Sequence, residues 1–454
     1  MNEEPREEKD RLRTVALAIA KRLKEAGFET FFVGGCVRDL LLGTEPEDID
    51  IVTSATPENV QSLFTRTVPL GARFGVVMVV EEGLPFEVAT YRTEEGYLDG
   101  RRPSRVRFAD AREDVLRRDF TVNGLLMEPE TGCIADHIGG LADLRDRLIR
   151  TIGAPADRFA EDHLRMLRAV RFAAVLDFSI DPETFNAVRA GAGSIVRISG
   201  ERVREELTKI LVSRGARRGM ELLAELGLLA RLLPEVDALA GVSQPPRFHP
   251  EGDVWTHVLK MLELLPRAEN GRGDGRLAWA ALLHDIGKAV TRTEDERGIH
   301  FYGHVREGMR LAEGILRRLR FSNQDADAVL ELIRYHMHFM SVGEMRPGTL
   351  KRLLRRPDFP LHLELHRLDC LGSHGMLDTF DFCRGKLAEL SREDLHPPRL
   401  IDGRDLIGLG FAPGPLFREI LTAVEDAQLA GEIGHADEAR RFVLERFGDR
   451  LSDR

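Results

Sequence analysis

Three short stretches hold side chains whose types and spacing could do chemistry. In "EDIDIV", Asp48 and Asp50 stand one residue apart inside an apolar run. On a strand, side chains two apart share a face. Carboxylates held that close repel unless a cation lies between them. A hard divalent ion such as Mg²⁺ takes oxygen ligands from one or two carboxylates plus substrate phosphates. Just upstream, "VGGCVRDLLL" puts Gly34 and Gly35 between an apolar run and a helical pattern. A tight turn there would aim backbone N–H groups at a phosphate. Glu87 in "FEVATYR" is an acid on a further apolar run and a third candidate ligand. The order strand, Gly-Gly, helix, D-x-D points to metal-dependent nucleotidyl transfer, in which two ions activate the attacking oxygen and stabilise the leaving one. Each piece alone has a plainer explanation, a turn or an acid at a strand edge.

The second stretch, "EDHLR", supplies Glu161, Asp162 and Arg165 in a helical pattern. Positions 162 and 165, three apart, would share one helix face, and by themselves describe an ion pair. The third is dispersed: His257 in "WTHVLKML", His284 and Asp285 in "ALLHDIGKAV", His304, His336, and Asp369 in "HRLDCLG". A lone buried histidine is usually a core residue. A His-Asp doublet in an apolar helix with further histidines and a distant Asp is harder to explain structurally. Imidazole and carboxylate together suit a borderline transition metal, and an incomplete shell leaves room for water and phosphate.

The elements that must position these groups change character along the chain. Residues 9–26 have helical apolar spacing. From about 29 to 140, "ETFFVG", "DIDIV", "GVVMVV" and "PFEVATY" are short β-branched and aromatic runs punctuated by glycine and proline, predicting one small sheet. After about 150 the strand signals stop and three-to-four apolar spacing predicts an all-helical remainder. Breaks at "VSQPPRFHPEG" (242–252) and "REDLHPPRLIDG" (392–403) mark boundaries. The expected organisation is 1–150, 151–245, 246–395 and 396–454.

At 454 residues, with 43% hydrophobic and 31% charged residues, the composition is that of a soluble multidomain protein. The four cysteines form no C-x-x-C pair, arguing against a disulfide scaffold and suiting a reducing cytosol. The acidic start "MNEEPREEKD" does not resemble a signal peptide, and no apolar run approaches a membrane span. The expected location is cytoplasmic. A net charge of −10 is weak evidence against a nucleic-acid partner, because basic clusters occur at 100–107 ("GRRPSRVR"), 317–320 ("RRLR") and 351–357 ("KRLLRRP"). Each is equally well a solvated face.

"VGGCVRDLLLG…EDIDIVT", "EVATYRTEEGYLDGRRP", "RRDFTVNGL", "IGGLADLRDRLIRTIG" and "EDHLRMLRAVRFA" follow in order over roughly residues 25–230. In this the chain resembles the class II tRNA nucleotidyltransferase and bacterial poly(A) polymerase family. The resemblance implies an α+β fold: a small N-terminal nucleotidyltransferase head with a mixed sheet, then an all-α neck and body. It implies Mg²⁺ on Asp48 and Asp50, with Glu87 beside them. It also implies a nucleotide site from Gly34, Gly35, Arg38, Arg118, Asp119, Asn123, Asp162, Arg165 and Arg168. In the family, the Asp and Arg of "EDHLR" read the incoming base. A carboxylate accepts from an exocyclic amine and a guanidinium donates to the adjacent ring nitrogen. Cytosine and adenine present that pattern; uracil and guanine present the reverse, and a mismatch leaves buried polar groups unpaired. Arg202 and Glu206 in "ERVREEL" either buttress this segment or form an ordinary helix-face pair.

The full segment at 91–111 with "YLDGRRP" resembles CCA-adding relatives, which use a flexible loop there to switch from C to A. An enzyme adding only A shares nearly all these motifs; poly(A) polymerases carry a different insertion. The expected partners are therefore tRNA, CTP and ATP. The histidine set resembles the HD phosphohydrolase superfamily in the order H…HD…D, with His304 and His336 as candidate second-metal ligands. In some bacterial CCA-adding enzymes such a domain acts as a phosphatase or 2′,3′-cyclic phosphodiesterase. A rival of another class is a metal phosphohydrolase whose head only binds RNA.

Overall fold

A computed structural model describes residues 4–71, 75–97, 103–268 and 271–451, in two compact units. Of the described residues, the first contains those up to Asp237, with 271–272 and 318–320; the second contains the others. The "YLDGRRP" segment falls largely, and the "GRRPSRVR" cluster partly, outside the described residues.

The first unit opens with helix α1 (Glu4–Glu25), whose Val15, Ala16, Ile19, Ala20 and Leu23 recur at helical spacing and are buried. The sheet strands follow: β1 (Thr30–Val33), β2 (Asp50–Thr53), β3 (Thr67–Gly71), β4 (Val76–Glu81) and β5 (Leu84–Thr90). Helix α2 (Gly35–Leu41) joins β1 to β2, and α3 (Pro57–Leu63) follows β2. A hairpin of β6 (Arg92–Tyr97) and β7 (Pro103–Phe108) leads to α4 (Ala111–Leu116). Two-residue strands β8 (Leu126–Met127) and β9 (Ile134–Ala135) complete a seven-stranded sheet of order β3-β4-β5-β2-β1-β8-β9. The sheet is mixed: β2 and β5 run parallel, in a register that pairs Ile51 with Val88, and the other pairs are antiparallel. That register sets Asp50 beside Glu87 at the start of the pair.

Beyond the sheet come α5 (Gly140–Arg145), β10 (Leu148–Ile149), α6 (Pro155–Glu161), α7 (Leu164–Leu176), β11 (Ser179–Ile180), α8 (Pro182–Gly191), α9 (Gly200–Leu211) and α10 (Ala216–Glu225). Two short turns, α11 (Leu229–Leu232) and α12 (Pro234–Asp237), end the unit. Helix α7 buries Leu164, Met166, Leu167, Ala169, Val170 and Ala173, while Arg165, Arg168 and Arg171 recur every third position along another face.

The second unit contains α13 (Val254–Glu263), α14 (Gly275–Leu283), α15 (Lys288–Thr291), α16 (His304–Arg318), α17 (Asn323–Tyr335), α18 (Pro347–Leu354) and α19 (Phe359–Gly372), and all but α18 carry or adjoin the histidine set. A hairpin, β12 (Thr293–Asp295) with β13 (Gly298–His300), interrupts them. Residues 400–451 have their own core of Leu406, Phe411, Ile420, Val424, Val443 and Phe447. The expectation of pure helix after residue 150 is corrected here. Two-residue β11 pairs with β10, and the β12–β13 hairpin turns on "DERG", both too short to give an alternating apolar signal.

Candidate active sites

The first site is a cleft of about 410 Å³ in the first unit. It is lined by Gly34, Gly35, Arg38, Asp48, Asp50, Arg118, Asp119, Asn123, Asp162, Arg165 and Arg168, together with Arg117, Arg171 and Phe172. Residues from Gly34 at one end of the sequence span to Phe172 at the other thus share one surface that combines carboxylates and guanidiniums. Glu87 borders an adjoining hollow with Asp50, Arg117 and Arg118.

Gly34 caps α2 at φ 81°, ψ −135°, where L side chains are strained. A Cβ there would sit 3.5 Å from Asp50 Oδ2 and 3.8 Å from Arg118 Nη1. The glycine therefore keeps the floor between acid and arginine clear. Asp48 is not on the strand with Asp50, contrary to the alternation read from "DID": β2 begins at Asp50 and Asp48 lies in the segment entering it. Buried Ile49 anchors that entry, so the two acids still face one cleft. Burial and the like charges of Asp48 and Glu87 push the Asp50 carboxyl up to about 6, against the pull of Arg118. Mutually repelling oxygens beside a phosphate-sized arginine cleft fit a divalent cation.

The arginines are held by acids that the sequence reading did not single out. Asp114, 1% exposed, accepts from Arg117 at 2.6 and 2.9 Å and from Arg118 at 2.9 and 3.2 Å. Burial pushes Asp114 up, but the two guanidiniums outweigh it and hold the carboxyl below its ordinary range. Its signal was the i, i+3, i+4 spacing in "DVLRR". Asp119 accepts from Arg168 at 2.7 Å and Asn123 at 3.2 Å, and Asn123 accepts from Arg38 at 2.8 Å. Despite burial, Arg168 and Asn123 bring Asp119 down to about 2, so it is a fixed anion. Arg171 pairs with Glu206 at 2.7 Å, and Arg38, Arg168 and Arg171 surround the Phe172 ring at 4.2–5.3 Å.

The helix reading of "EDHLR" is corrected. Helix α6 ends at Glu161, and Asp162 is extended at φ −143°, ψ 107°, accepting from Leu164 N–H at the start of α7. Asp162 and Arg165 therefore do not pair as helix neighbours. Arg165 binds Glu161 and the carbonyls of Arg158 and Arg117, while Asp162 takes a two-pronged contact from Arg202 at 2.7 and 3.2 Å. Asp162 still lines the cleft, its carboxylate held by Arg202 and not by a helix neighbour.

The second site lies in the second unit and is built differently. Among the described residues, the groups of three acid, histidine or cysteine side chains with donor atoms within 4.8 Å of one another all occur here. There are three: His249, Glu251 and His257; His257, His284 and Asp369; and Asp285, His304 and His336. Asp285 stands between the last two, 3.2 Å from His284 Nε2, 3.7 Å from His304 Nε2 and 3.9 Å from His336 Nε2. Lys288, missed in the sequence although it follows three residues later in "HDIGK", binds Asp285 at 2.6 Å and Gln244 at 2.7 Å. The Nε2 atoms of His257, His284, His304 and His336 are buried without hydrogen-bond partners. Backbone carbonyls occupy the other ring nitrogen of three of them, at 3.0 Å for His284, 2.9 Å for His304 and 2.7 Å for His336. That arrangement fixes the proton on Nδ1 of these three and turns three lone pairs inward, fitting metal ions. Burial and the charge of His284 lower His336 to about 4; Asp285, despite burial, is held well below the carboxylate range by His284 and Lys288.

Residues 30–150 match the poly A polymerase head domain family, 177–239 the probable RNA and SrmB-binding site of polymerase A, and 254–369 the HD domain family. The fold matches the crystal structure of the Bacillus stearothermophilus CCA-adding enzyme in complex with CTP. The TM-score is 0.73 at 30% identity, covering 96% of this chain and 97% of that one. The chain belongs to this tRNA nucleotidyltransferase family. A CCA-adding enzyme of Lactobacillus johnsonii is 40% identical over 260 residues, 55% of this chain and 64% of that protein. One of Geobacillus stearothermophilus is 46% identical over 218 residues, 48% and 54%. The matched part thus spans less than two thirds of these curated relatives. A Thermotoga maritima CCA-adding enzyme complexed with tRNA shares the fold, with TM-score 0.58 at 20% identity and coverage of 95% and 94%. The nucleotidyltransferase head and HD domain place this member in two families that use divalent metals.

Proposed function

We propose that the chain is a template-independent tRNA nucleotidyltransferase that adds CCA to the tRNA 3′ end from CTP and ATP. What carries the reading is the single cleft that brings together Asp48, Asp50, Asp162 and six arginines, Arg165 among them. Asp48 and Asp50, with Glu87 alongside, would hold Mg²⁺, which when bound lowers the barrier for the terminal 3′-hydroxyl to attack the α-phosphorus with loss of pyrophosphate. Arg118 and its neighbours along the cleft balance the triphosphate charge, and Asp114 fixes Arg118 so that little reorganisation accompanies transfer. Asp119, Asn123 and Arg38 form a hydrogen-bonded wall that orients the ribose, with Gly34 and Gly35 leaving room for it. Asp162 and Arg165 read the amine and ring nitrogen shared by C and A; Arg202 and Glu161 hold them at that task while lone pairs and donors remain for the base.

Residues 1–150 would carry transfer, 151–245 base recognition and tRNA binding, 246–395 a metal domain, and 396–454 a helical tail. The four inward Nε2 atoms support a transition-metal phosphohydrolase centre on His257, His284, Asp285 and Asp369 with His304 and His336, acting on phosphate ends of tRNA. No helix among the described residues is long and apolar enough to cross a membrane, and a cytoplasmic site of action suits tRNA maturation.

Incubating tRNA stripped of its last three nucleotides with each labelled nucleotide tests the reading. C followed by A supports it. A alone, only on tRNA ending in CC, would make this an A-adding enzyme; long A tails would make it a poly(A) polymerase. No incorporation, with phosphate released from cyclic or monophosphate ends, would leave only the phosphohydrolase.

A further inference from the structure

Three of the four inward-facing histidines share one device, a backbone carbonyl on Nδ1. His257 departs from it. Its Nδ1 lies 3.1 Å from Glu251 Oε1 and its Nε2 3.2 Å from Asp369 Oδ1, both ion-pair distances without hydrogen-bond geometry. The Glu251 side chain is fully buried, and the same Oε1 also takes His249 Nδ1 at 2.9 Å. A buried carboxylate is costly unless it is paired. Here its facing groups are two imidazole edges, and Oε2 has no partner at all.

The loop around it is built to keep it there. Gly252 adopts φ 118°, which L side chains rarely reach, so the chain turns sharply after Glu251. Asp253 then caps α13 by accepting from Thr256 N–H at 2.9 Å, and accepts from Gly241 N–H at 2.6 Å. Val254 N–H closes the loop onto the Val242 carbonyl at 3.0 Å. His257 sits in the first turn of the helix so anchored.

We propose that Glu251 is a positioning residue for the HD metal site, acting through His257. The inference rests on the reading of His257 as a metal ligand. The negative charge 3.1 Å from Nδ1 favours the His257 proton on that nitrogen, leaves Nε2 facing Asp369 and His284, and makes that one imidazole a stronger donor than its carbonyl-bound neighbours. Glu251 is on the Nδ1 edge of the ring, opposite the Nε2 edge where Asp369 lies, so it does not share the same ion. His249 braces Glu251 from the loop side.

The test is Co²⁺ binding to the tag-free full-length chain by calorimetry, in an excess of Mg²⁺ to fill the all-oxygen head site. Glu251→Gln, which keeps shape and removes charge, is expected to weaken Co²⁺ binding roughly 10- to 100-fold. Stoichiometry, the melting temperature without Co²⁺ and nucleotide addition to tRNA are expected to match the parent. Glu251→Asp, which retains the charge at a greater distance, is expected to fall between; it also decides the matter if the Gln variant does not fold. Unchanged Co²⁺ affinity in both variants overturns the inference while leaving the metal site standing. Loss of one whole equivalent, with the rest bound as tightly as before, also overturns it and makes Glu251 a ligand itself. A parent chain that binds no Co²⁺ overturns both the inference and the HD reading beneath it.

Discussion

The two candidate sites solve the placement of charge in opposite ways. In the head, the acids line an open cleft, and side chains hold other side chains: Asp114 holds Arg117 and Arg118, Asp119 holds Arg168, and Arg202 holds Asp162. In the second unit the donors fall into groups of three within 4.8 Å, mostly buried, and three of the histidines are oriented by backbone carbonyls. A site whose substrate brings its own phosphates needs an open, charge-balanced surface. A site that must hold ions before substrate arrives needs converging lone pairs. The difference makes the head sensitive to charge and the second site sensitive to ring orientation.

The largest effect should come from the head acids. Asp50→Asn, or Asp48→Asn, is expected to lower nucleotide addition by roughly 10²- to 10³-fold or more, the scale of losing one preorganised charge partner. Asp50→Asn should also raise the melting temperature of the metal-free chain at pH 7. The folded pKa of Asp50 is raised to about 6 by burial, Asp48 and Glu87, so ionisation costs the folded state stability as pH climbs from about 4 to 6. Removing the ionisable group returns on the order of 1–3 kcal/mol. An Asp50→Asn variant that adds nucleotides normally, or melts lower, would break the picture of repelling acids awaiting a cation.

Next in size is the second site. His284→Ala is expected to abolish Co²⁺ uptake there and to leave CCA addition at the parent rate; parallel loss of both in a folded variant would contradict two separate centres. The pH dependence has a definite sign. Burial works against a charged His257, but Asp369 and Glu251 raise it to about 9, so the metal-free site carries a proton at pH 7 that an ion must displace. Co²⁺ affinity should therefore rise by up to about tenfold per pH unit from pH 7 toward 9 and level off above. Calorimetry in buffers of different ionisation heat would show the released proton, and a flat profile would remove His257 from the ligand set.

The asymmetry also decides what could be read from the sequence. The sheet was legible because "ETFFVG", "GVVMVV" and "PFEVATY" are dense in β-formers, and the cleft residues because "RRDFTVNGL" and "EDHLR" are contiguous motifs. Asp114 escaped notice because "REDVLRR" is indistinguishable from a solvated helix until its burial is known. Asp162 was placed on a helix because nothing local in "FAEDHLRM" breaks one. It is the tertiary contact with Arg202, 40 residues away, that accompanies its extended backbone. Glu251 escaped for a similar reason: "FHPEGD" reads as a Pro/Gly break, and only the fold brings its carboxylate under His257.

The smallest effect expected, and the one that sharpens the contrast most, concerns Arg202. It touches Asp162 through two nitrogens, but the pair is partly open, with side chains 23% and 18% exposed, so the contact itself is worth about 1 kcal/mol. Arg202→Ala should leave the acids of the head untouched and lower C addition only several-fold. Its signature is fidelity. A carboxylate free to rotate accepts a carbonyl-bearing base through water about as readily as an amine-bearing one, so discrimination of CTP over UTP should fall by roughly tenfold. Arg202→Lys supplies a charge without the planar fork and should restore addition more than discrimination. If discrimination stays at the parent value while addition drops, Arg202 supports the helix and not the reading of the base, and side-chain bracing in the head would end at the triphosphate.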